Sequence, residues 1–475
     1  MMFNPGLSIK IVEALQNAGF SSYYVGGAVR DYVMDREPHD YDICTAATPD
    51  QMIEILKPLT KEIIPTGIKH GTITAVMEDG AMYEVTTFRI DGKYSDGRHP
   101  DNVTFTANIE DDLARRDFTF NAMALKWPEM EIIDPFGGQA DCDMELTGGT
   151  LKCVGDPYER FREDPLRILR GVRFIAQLGL DNTEVSTWDA MRKEAPLLQN
   201  ISAERISAEL TKIMLSDEPV ISMIFPEILF EIIPEMKAMR NFNQNNPYHK
   251  YDVYHHTWAA LEAFQQVWKM ASNTDKMDKL TIALAILLHD IGKPSSYSEE
   301  VVDGFKRGHF YGHEIKSAEM AKDILTRLRF PTKLVRDVVE IIEAHNKTIL
   351  PQEKLIRRLL NKHGVLQTRH LLIHNLCDTL GRGHGTLRYN ECLKEAKDSI
   401  YLLEEMLARP QPFSVKDLAI NGRDVMALGV EQGAFVGMLL KDCLDAVMNE
   451  ECANERETLL KLVKAALAVY DDPTF

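Results

Sequence analysis

The stretch VGGAVRDYVMDREPHDYDICTA, Val25 to Ala46, carries two aspartates one residue apart. If DYDI runs as a strand, Asp40 and Asp42 share one face and Tyr41 and Ile43 the other. Adjacent carboxylates repel unless a cation bridges them, and hard oxygen ligands at this spacing suit Mg2+. Glu84, on the polar face of YEVTTF, offers a third carboxylate from a neighbouring strand. Three such acids meet the needs of two-metal phosphoryl transfer, in which one ion activates the attacking oxygen and the other holds a triphosphate. Gly26 and Gly27 let backbone N–H groups approach phosphate oxygens near a helix start, and Arg30 adds a bidentate cation one turn later. Each part also has a structural alternative: solvated acids at a strand end, and an arginine paired with Asp31. Their co-occurrence favours a site.

Downstream, EDPLRILRGVRF places Asp164 and Arg167 three residues apart, a spacing that shares one helix face. A carboxylate acceptor beside a guanidinium donor matches the amino donor and ring-nitrogen acceptor of adenine and cytosine, and rejects the reversed order of guanine and uracil. Arg170 and Arg173 continue the face toward phosphate or ribose. The competing reading is an amphipathic helix laced with ion pairs.

A second constellation begins with LLHDIGKP, where His289 and Asp290 end an apolar run. His256, His313, His345 and Asp378 stand on other helical segments. Mixed imidazole and carboxylate ligation of this kind suits one or two transition metals or Mg2+ and can supply a hydroxide nucleophile. His255, His309 and Lys293 are nearby alternatives or substrate contacts. A degenerate domain that only holds RNA is the alternative.

These residues need elements to position them. At 475 residues the chain exceeds one hydrophobic core, which suggests three or four domains. From about 20 to 150, short β-rich runs alternate with glycine turns, and Gly71 to Ile90 reads as a hairpin around Glu78-Asp79-Gly80. From about 157 onward nearly everything has helical period. The fold class is therefore α+β: a mixed-sheet head with helices, then an all-helical body. The divisions fall at 1–150, 151–240, 241–385 and 386–475, with Asn241 to Asp252 and Leu407 to Leu418 reading as connectors. A net charge of −18 disfavours nonspecific nucleic-acid binding, so an RNA partner requires a local basic patch; Arg160, Arg162, Arg167, Arg170 and Arg173 offer one. Seven scattered cysteines without a CxxC pair indicate free thiols. The N-terminus has no signal-peptide pattern and no apolar run is long enough to span a bilayer, so a cytoplasmic protein is expected.

VGGAVRD, HDYDI, YEVTTFR, RRDFTFNAMA, IIDPFGG and EDPLRILRGVRF stand in the order seen in bacterial tRNA CCA-adding enzymes and their poly(A) polymerase relatives, polymerase-β-like nucleotidyltransferases that the first half of the chain resembles. The resemblance implies metal binding by Asp40 and Asp42, with Glu84 as third acid. It implies nucleotide contacts from Gly27, Arg30 and Arg116, followed by Asp164, Arg167, Arg170 and Arg173. It further implies CTP and ATP as substrates, Mg2+ as cofactor and the tRNA 3′ end as acceptor. Addition of A alone, or poly(A) synthesis, remains open within the family. The loop DGKYSDGRHPDNVTF has full length, which disfavours an enzyme adding only CC; His99 stands where relatives often carry a second basic residue. The order H, HD, H, H, D resembles HD-domain phosphohydrolases, implying 2′,3′-cyclic phosphates or phosphomonoesters as substrates. The region after residue 410 resembles the family segment that contacts the tRNA body.

Overall fold

The β-branched runs of the N-terminal region pair into one mixed sheet. Its strands are β1 (Ser22–Val25), β2 (Asp42–Thr45), β3 (Glu62–Gly67), β4 (Thr72–Val76) and β5 (Met82–Thr87), then, after a separate pair β6 (Arg89–Asp91) and β7 (Val103–Phe105), β8 (Ala124–Lys126) and β9 (Glu131–Ile133). The order is β3-β4-β5-β2-β1-β8-β9. β4 and β5 form the expected hairpin, and Gly80 takes the positive φ that its tight turn requires. β2 and β5 run parallel with Ile43 opposite Val85, so Asp42 and Glu84 occupy neighbouring positions one residue earlier on each strand. Val25 is the partner of Asp42 on the other side, which brings the following Gly26 to the same sheet end. Val25, Cys44, Phe88, Leu113 and Ala124 pack into a buried core beneath these positions.

The computed structural model describes residues 3–98, 100–270, 277–302, 305–346, 349–409, 415–448 and 451–470. The chain divides into two compact units, Met1–Pro234 and Glu235–Phe475. His99 and residues 410–414 of the expected second connector lie outside the described residues.

Two local differences from the sequence reading concern site residues. β2 begins only at Asp42, and Asp40 lies before it, exposed; its neighbour β1 ends at Val25, opposite Asp42, where Gly26 turns into a helix, so β1 offers Asp40 no ladder partner. Asp164 and Arg167 do not share one helix. Helix Pro157–Glu163 ends before Asp164, whose φ of −142° and ψ of 98° are extended, and helix Leu166–Leu178 starts after Pro165. Proline disfavours helical geometry in the residue before it.

The second unit is built on helices Val253–Met270, Lys279–Leu288, His313–Arg327, Thr332–Ala344, Glu353–Gly381 and Tyr389–Ala408. Lys279–Leu288 is buried from Thr281 through Leu288, as an apolar all-round sequence demands. The unit also contains a hairpin, Ser298–Val302 with Phe305–His309, where helical text was expected. The 241–252 stretch is more than a polar connector, since Gln244 is buried and accepts a hydrogen bond from Lys293 Nζ at 2.9 Å. All seven cysteines are free, and no described helix is long and apolar enough to cross a membrane.

Candidate active site and metal centre

At the end of the head sheet, Asp42 faces Arg116, Glu84 and Asp40. Burial, aided by Glu84 and Asp40 and opposed by Arg116, pushes the Asp42 carboxyl up to about 6. A carboxylate so disfavoured is one that a bound cation would relieve, so the donor set fits a divalent metal. Asp40 and Glu84 are exposed and more widely spread; among the described residues, the triples of ligand atoms tight enough for one ion lie in the second unit. Gly26 caps the start of helix Gly27–Val33 at a φ of 69°. A Cβ there would crowd Arg116 Nη1 at 3.1 Å and touch Asp42 Oδ2 at 3.8 Å, and the positive φ itself favours glycine. Arg116 is anchored by buried Asp112 at 3.2 Å. Arg30 donates to Asp31 Oδ1 through Nε and Nη2 and to Asn121 Oδ1 through Nη1, which is the pairing the structural alternative anticipated.

A cavity of about 400 Å³ joins this end of the sheet to the neck, with Glu84, Arg89, Tyr94, Arg98, Arg115 and Arg167 in its wall. Arg167 is fixed by Glu163 at 2.6 Å and by the carbonyl oxygens of Arg160 and Arg115, both at 3.2 Å. Asp164 pairs instead with Arg205 at 2.8 Å. Arg170 pairs with buried Asp117 at 2.5 Å, and Arg173, itself buried, with Glu209 at 2.6 Å. Asp117 is held well below the usual carboxylate range because Arg170 and Arg167 outweigh its burial. Arg160 and Arg162 also have acidic partners, Glu163 and Glu194. The arginine-rich window is thus a framework of internal ion pairs rather than an open basic patch; the cations around the cavity come from the head as well.

In the second unit His256, His289, Asp290, His313, His345 and Asp378 converge, all buried. Asp290 Oδ2 lies 3.3 Å from His256 Nε2 and 3.2 Å from His289 Nε2. Its Oδ1 lies 3.5 Å from His313 Nε2 and 3.8 Å from His345 Nε2. Asp378 Oδ1 is 2.9 Å from His256 Nε2, and Arg382 holds its other oxygen at 3.2 Å. His289, His313 and His345 each place Nδ1 within 2.6–2.8 Å of the carbonyl oxygen three residues earlier. A carbonyl only accepts, so these Nδ1 atoms carry a proton, and whenever such a ring is neutral its Nε2 presents a lone pair to the centre. The set fits two divalent ions with Asp290 between them. Burial is outweighed at His289 by Asp290 and Asp378, which raise it to about 10, whereas burial lowers His313 to about 4.

Family models match in the same order: the poly A polymerase head domain over residues 22–146, the probable RNA and SrmB-binding site of polymerase A over 183–239, and the HD domain over 253–383. The CCA-adding enzyme of Limosilactobacillus reuteri (strain DSM 20016) is 30% identical over 458 residues, 96% of this chain and 95% of that protein. The chain belongs to the CCA-adding enzyme family. The CCA-adding enzyme of Geobacillus thermodenitrificans reaches 46% identity over 207 residues, 44% of this chain and 48% of its own. A crystal structure of the Bacillus stearothermophilus CCA-adding enzyme in complex with CTP superposes with a TM-score of 0.62 at 27% identity, covering 98% of both chains. As a member of the CCA-adding enzyme family this chain is a nucleotidyltransferase.

Within this CCA-adding enzyme fold, His249 and His374 beside the second centre escaped the sequence reading, whereas Lys293 and His255 were among its nearby alternatives. Lys293 Nζ, 2.7 Å from Asp290 Oδ2, is buried against it, whereas His255 turns outward to Asp252. His249 packs edge-on to His256 at 5.1 Å between ring centres. His374, fully buried, lies 5.2 Å from the His289 ring and 5.6 Å from that of His345. His374 precedes Asp378 by one helical turn, a spacing that signals a shared face; nothing local singles out His249 or Gln244.

Proposed function

We propose that this protein adds CCA to tRNA 3′ ends from CTP and ATP with Mg2+, in the cytoplasm. The supporting observation is the cavity of about 400 Å³ lined by both Glu84, the candidate metal-binding acid, and Arg167, the candidate base-reading cation. Asp40, Asp42 and Glu84 would hold the ions, which supply charge stabilisation for an in-line displacement. The tRNA 3′ hydroxyl oxygen forms a bond to the α-phosphorus as its proton passes to solvent, the α–β bridging P–O bond breaks, and pyrophosphate leaves with the electron pair. Gly26 and Gly27 admit the phosphates, with Arg30 and Arg116 as nearby cations. Asp164 and Arg167 read the base, and Arg170 and Arg173 stiffen that helix through their acidic partners. The division of labour follows the proposed segments: head 1–150, neck 151–240, HD unit 241–385 and tRNA-binding region 386–475.

The test supplies tRNAs ending at the discriminator base, at C and at CC with CTP or ATP, singly and together. Full CCA synthesis on the shortest end is the expected result. Incorporation of A only onto CC ends would replace the assignment by an A-adding enzyme, and runs of A by a poly(A) polymerase.

A second activity is favoured by Asp290, whose two oxygens face separate histidine pairs. We propose a metal-dependent phosphohydrolase there: water forms a bond to phosphorus, one P–O ester bond breaks, and the water proton ends on the leaving oxygen. Release of a 2′- or 3′-phosphate from a cyclic nucleotide, lost in Asp290→Ala, is the expected outcome.

A further inference from the structure

The cavity above the histidine-aspartate centre, about 440 Å³, has one wall made by the hairpin strand Phe305–His309 and the residues after it. Residues 307–311 all line the cavity but differ in what else they touch. Gly308 and Phe310 also pack against the body of the unit. Gly308 N donates to Asn245 O at 2.8 Å, and a Cβ on Gly308 would lie 2.3 Å from Gln244 O, so the strand is seated tightly. Phe310 joins an aromatic cluster with Tyr297 and Phe242 at 5.5 and 6.5 Å. Arg307, His309 and Tyr311 line the same cavity. His309 and Tyr311 stack with rings 5.3 Å apart and 6° from parallel, and His309 Nε2 lies 3.3 Å from Glu300. Tyr311 is 79% exposed, contributes little to the core, and stands two residues before the candidate ligand His313.

We propose that Arg307, His309 and Tyr311 form the nucleoside-recognition edge of this cavity, the base of a nucleoside phosphate stacking on the His309–Tyr311 pair while its phosphate lies toward Asp290. The proposal rests on the phosphohydrolase reading of the centre and assigns the residues that would hold the nucleoside of its substrate. A flat aromatic face accepts any base, and a rigidly seated strand offers it without an ordering cost. Arg307, one step along the strand, suits a further phosphate, as in the chain of an RNA end. The same chemistry occurs in free nucleotides and in RNA termini.

The full-length protein with Mn2+ is given adenosine 2′,3′-cyclic phosphate, a short RNA ending in the same group, and glycerol 1,2-cyclic phosphate, which has no base. Tyr311→Ala should raise KM about tenfold for both nucleoside substrates, Tyr311→Phe should restore it, and neither should change glycerol cyclic phosphate hydrolysis. An unchanged KM, or equal loss on the baseless substrate, overturns the recognition role. A lower KM for the RNA that Arg307→Ala removes assigns the edge to RNA ends, and equal KM values assign it to free nucleotides. If the wild type cleaves none of the three, the phosphohydrolase reading fails separately. Calorimetric binding of adenosine 2′-phosphate, corrected by an Asp290→Ala titration, then decides: weaker binding in Tyr311→Ala supports the edge and equal binding overturns it.

Discussion

Asp164 is bound by Arg205 at 2.8 Å, not by Arg167, with which it was expected to share a helix face. The carboxylate is therefore set by helix Ala203–Leu215 and the guanidinium by Glu163. Removing Arg205 frees one half of the proposed base reader and leaves the other fixed. Arg205→Ala should raise KM for CTP and ATP several-fold, and Asp164→Ala should cost about 10- to 100-fold in discrimination against UTP and GTP. Single-nucleotide incorporation kinetics check both.

Asp42 couples activity against stability. Its carboxyl is raised from 3.8 to about 6, so without metal its ionisation opposes folding, increasingly from about pH 4 and fully above pH 6. Asp42→Asn should abolish incorporation, by about 1000-fold or more, yet raise the Tm of the metal-free protein by a few degrees at pH 8 and by less at pH 5. Thermal melts in EDTA at both values, beside incorporation assays, measure the two effects.

Gly26 has no tolerated substitute on geometric grounds. Its backbone at φ 69° and ψ −130° is a region that side chains avoid, and a Cβ would crowd Arg116 Nη1 at 3.1 Å. Gly26→Ala should destabilise by about 2 kcal/mol and lower incorporation as Arg116 shifts. Denaturant unfolding and nucleotide KM separate the two consequences.

His289 dictates how the second centre responds to pH. Raised to about 10 in the metal-free state, it contributes stability that is fully present below pH 6.5 and lost as pH rises through 10. A ligand imidazole must be neutral, so metal binding at pH 7 should release about one proton from this residue; His313, lowered to about 4, is already neutral. Calorimetry with Mn2+ in buffers of different ionisation enthalpy counts the proton, and uptake without release would contradict the assignment.

The position of Asp290 between two clusters predicts unequal losses. Asp290→Ala should leave less than about one metal per chain, whereas His345→Ala should reduce about two to about one. Metal analysis of the purified variants distinguishes them.

The mixed sheet, the β4–β5 hairpin and the two sets of candidate ligands were legible because each depends on residue type and short-range period. Asp42 and Glu84 sit level on adjacent strands as alternation suggested, whereas Asp40 falls before its strand, and His289-Asp290 follows from its place at the end of an apolar helix. The hairpin Ser298–His309 was not legible, because its strands are polar and gain their place by seating Gly308 and Phe310 against distant residues. His249 and Gln244 were invisible for the same reason: a polar stretch becomes a buried wall only when Lys293 and His256 arrive beside it.

The sequence by itself determined which chemistries the chain can hold, since side-chain type and local period fix what a strand or helix presents. Tertiary structure alone decided how those groups are used. It broke the helix at Asp164-Pro165 and supplied Arg205 from elsewhere, paired the neck arginines with acids up to 53 residues away, and aimed the two oxygens of Asp290 at different histidines. Ion pairs and ligand sets join residues far apart in the chain, and only packing brings such groups within the few ångströms at which charge and lone pairs act.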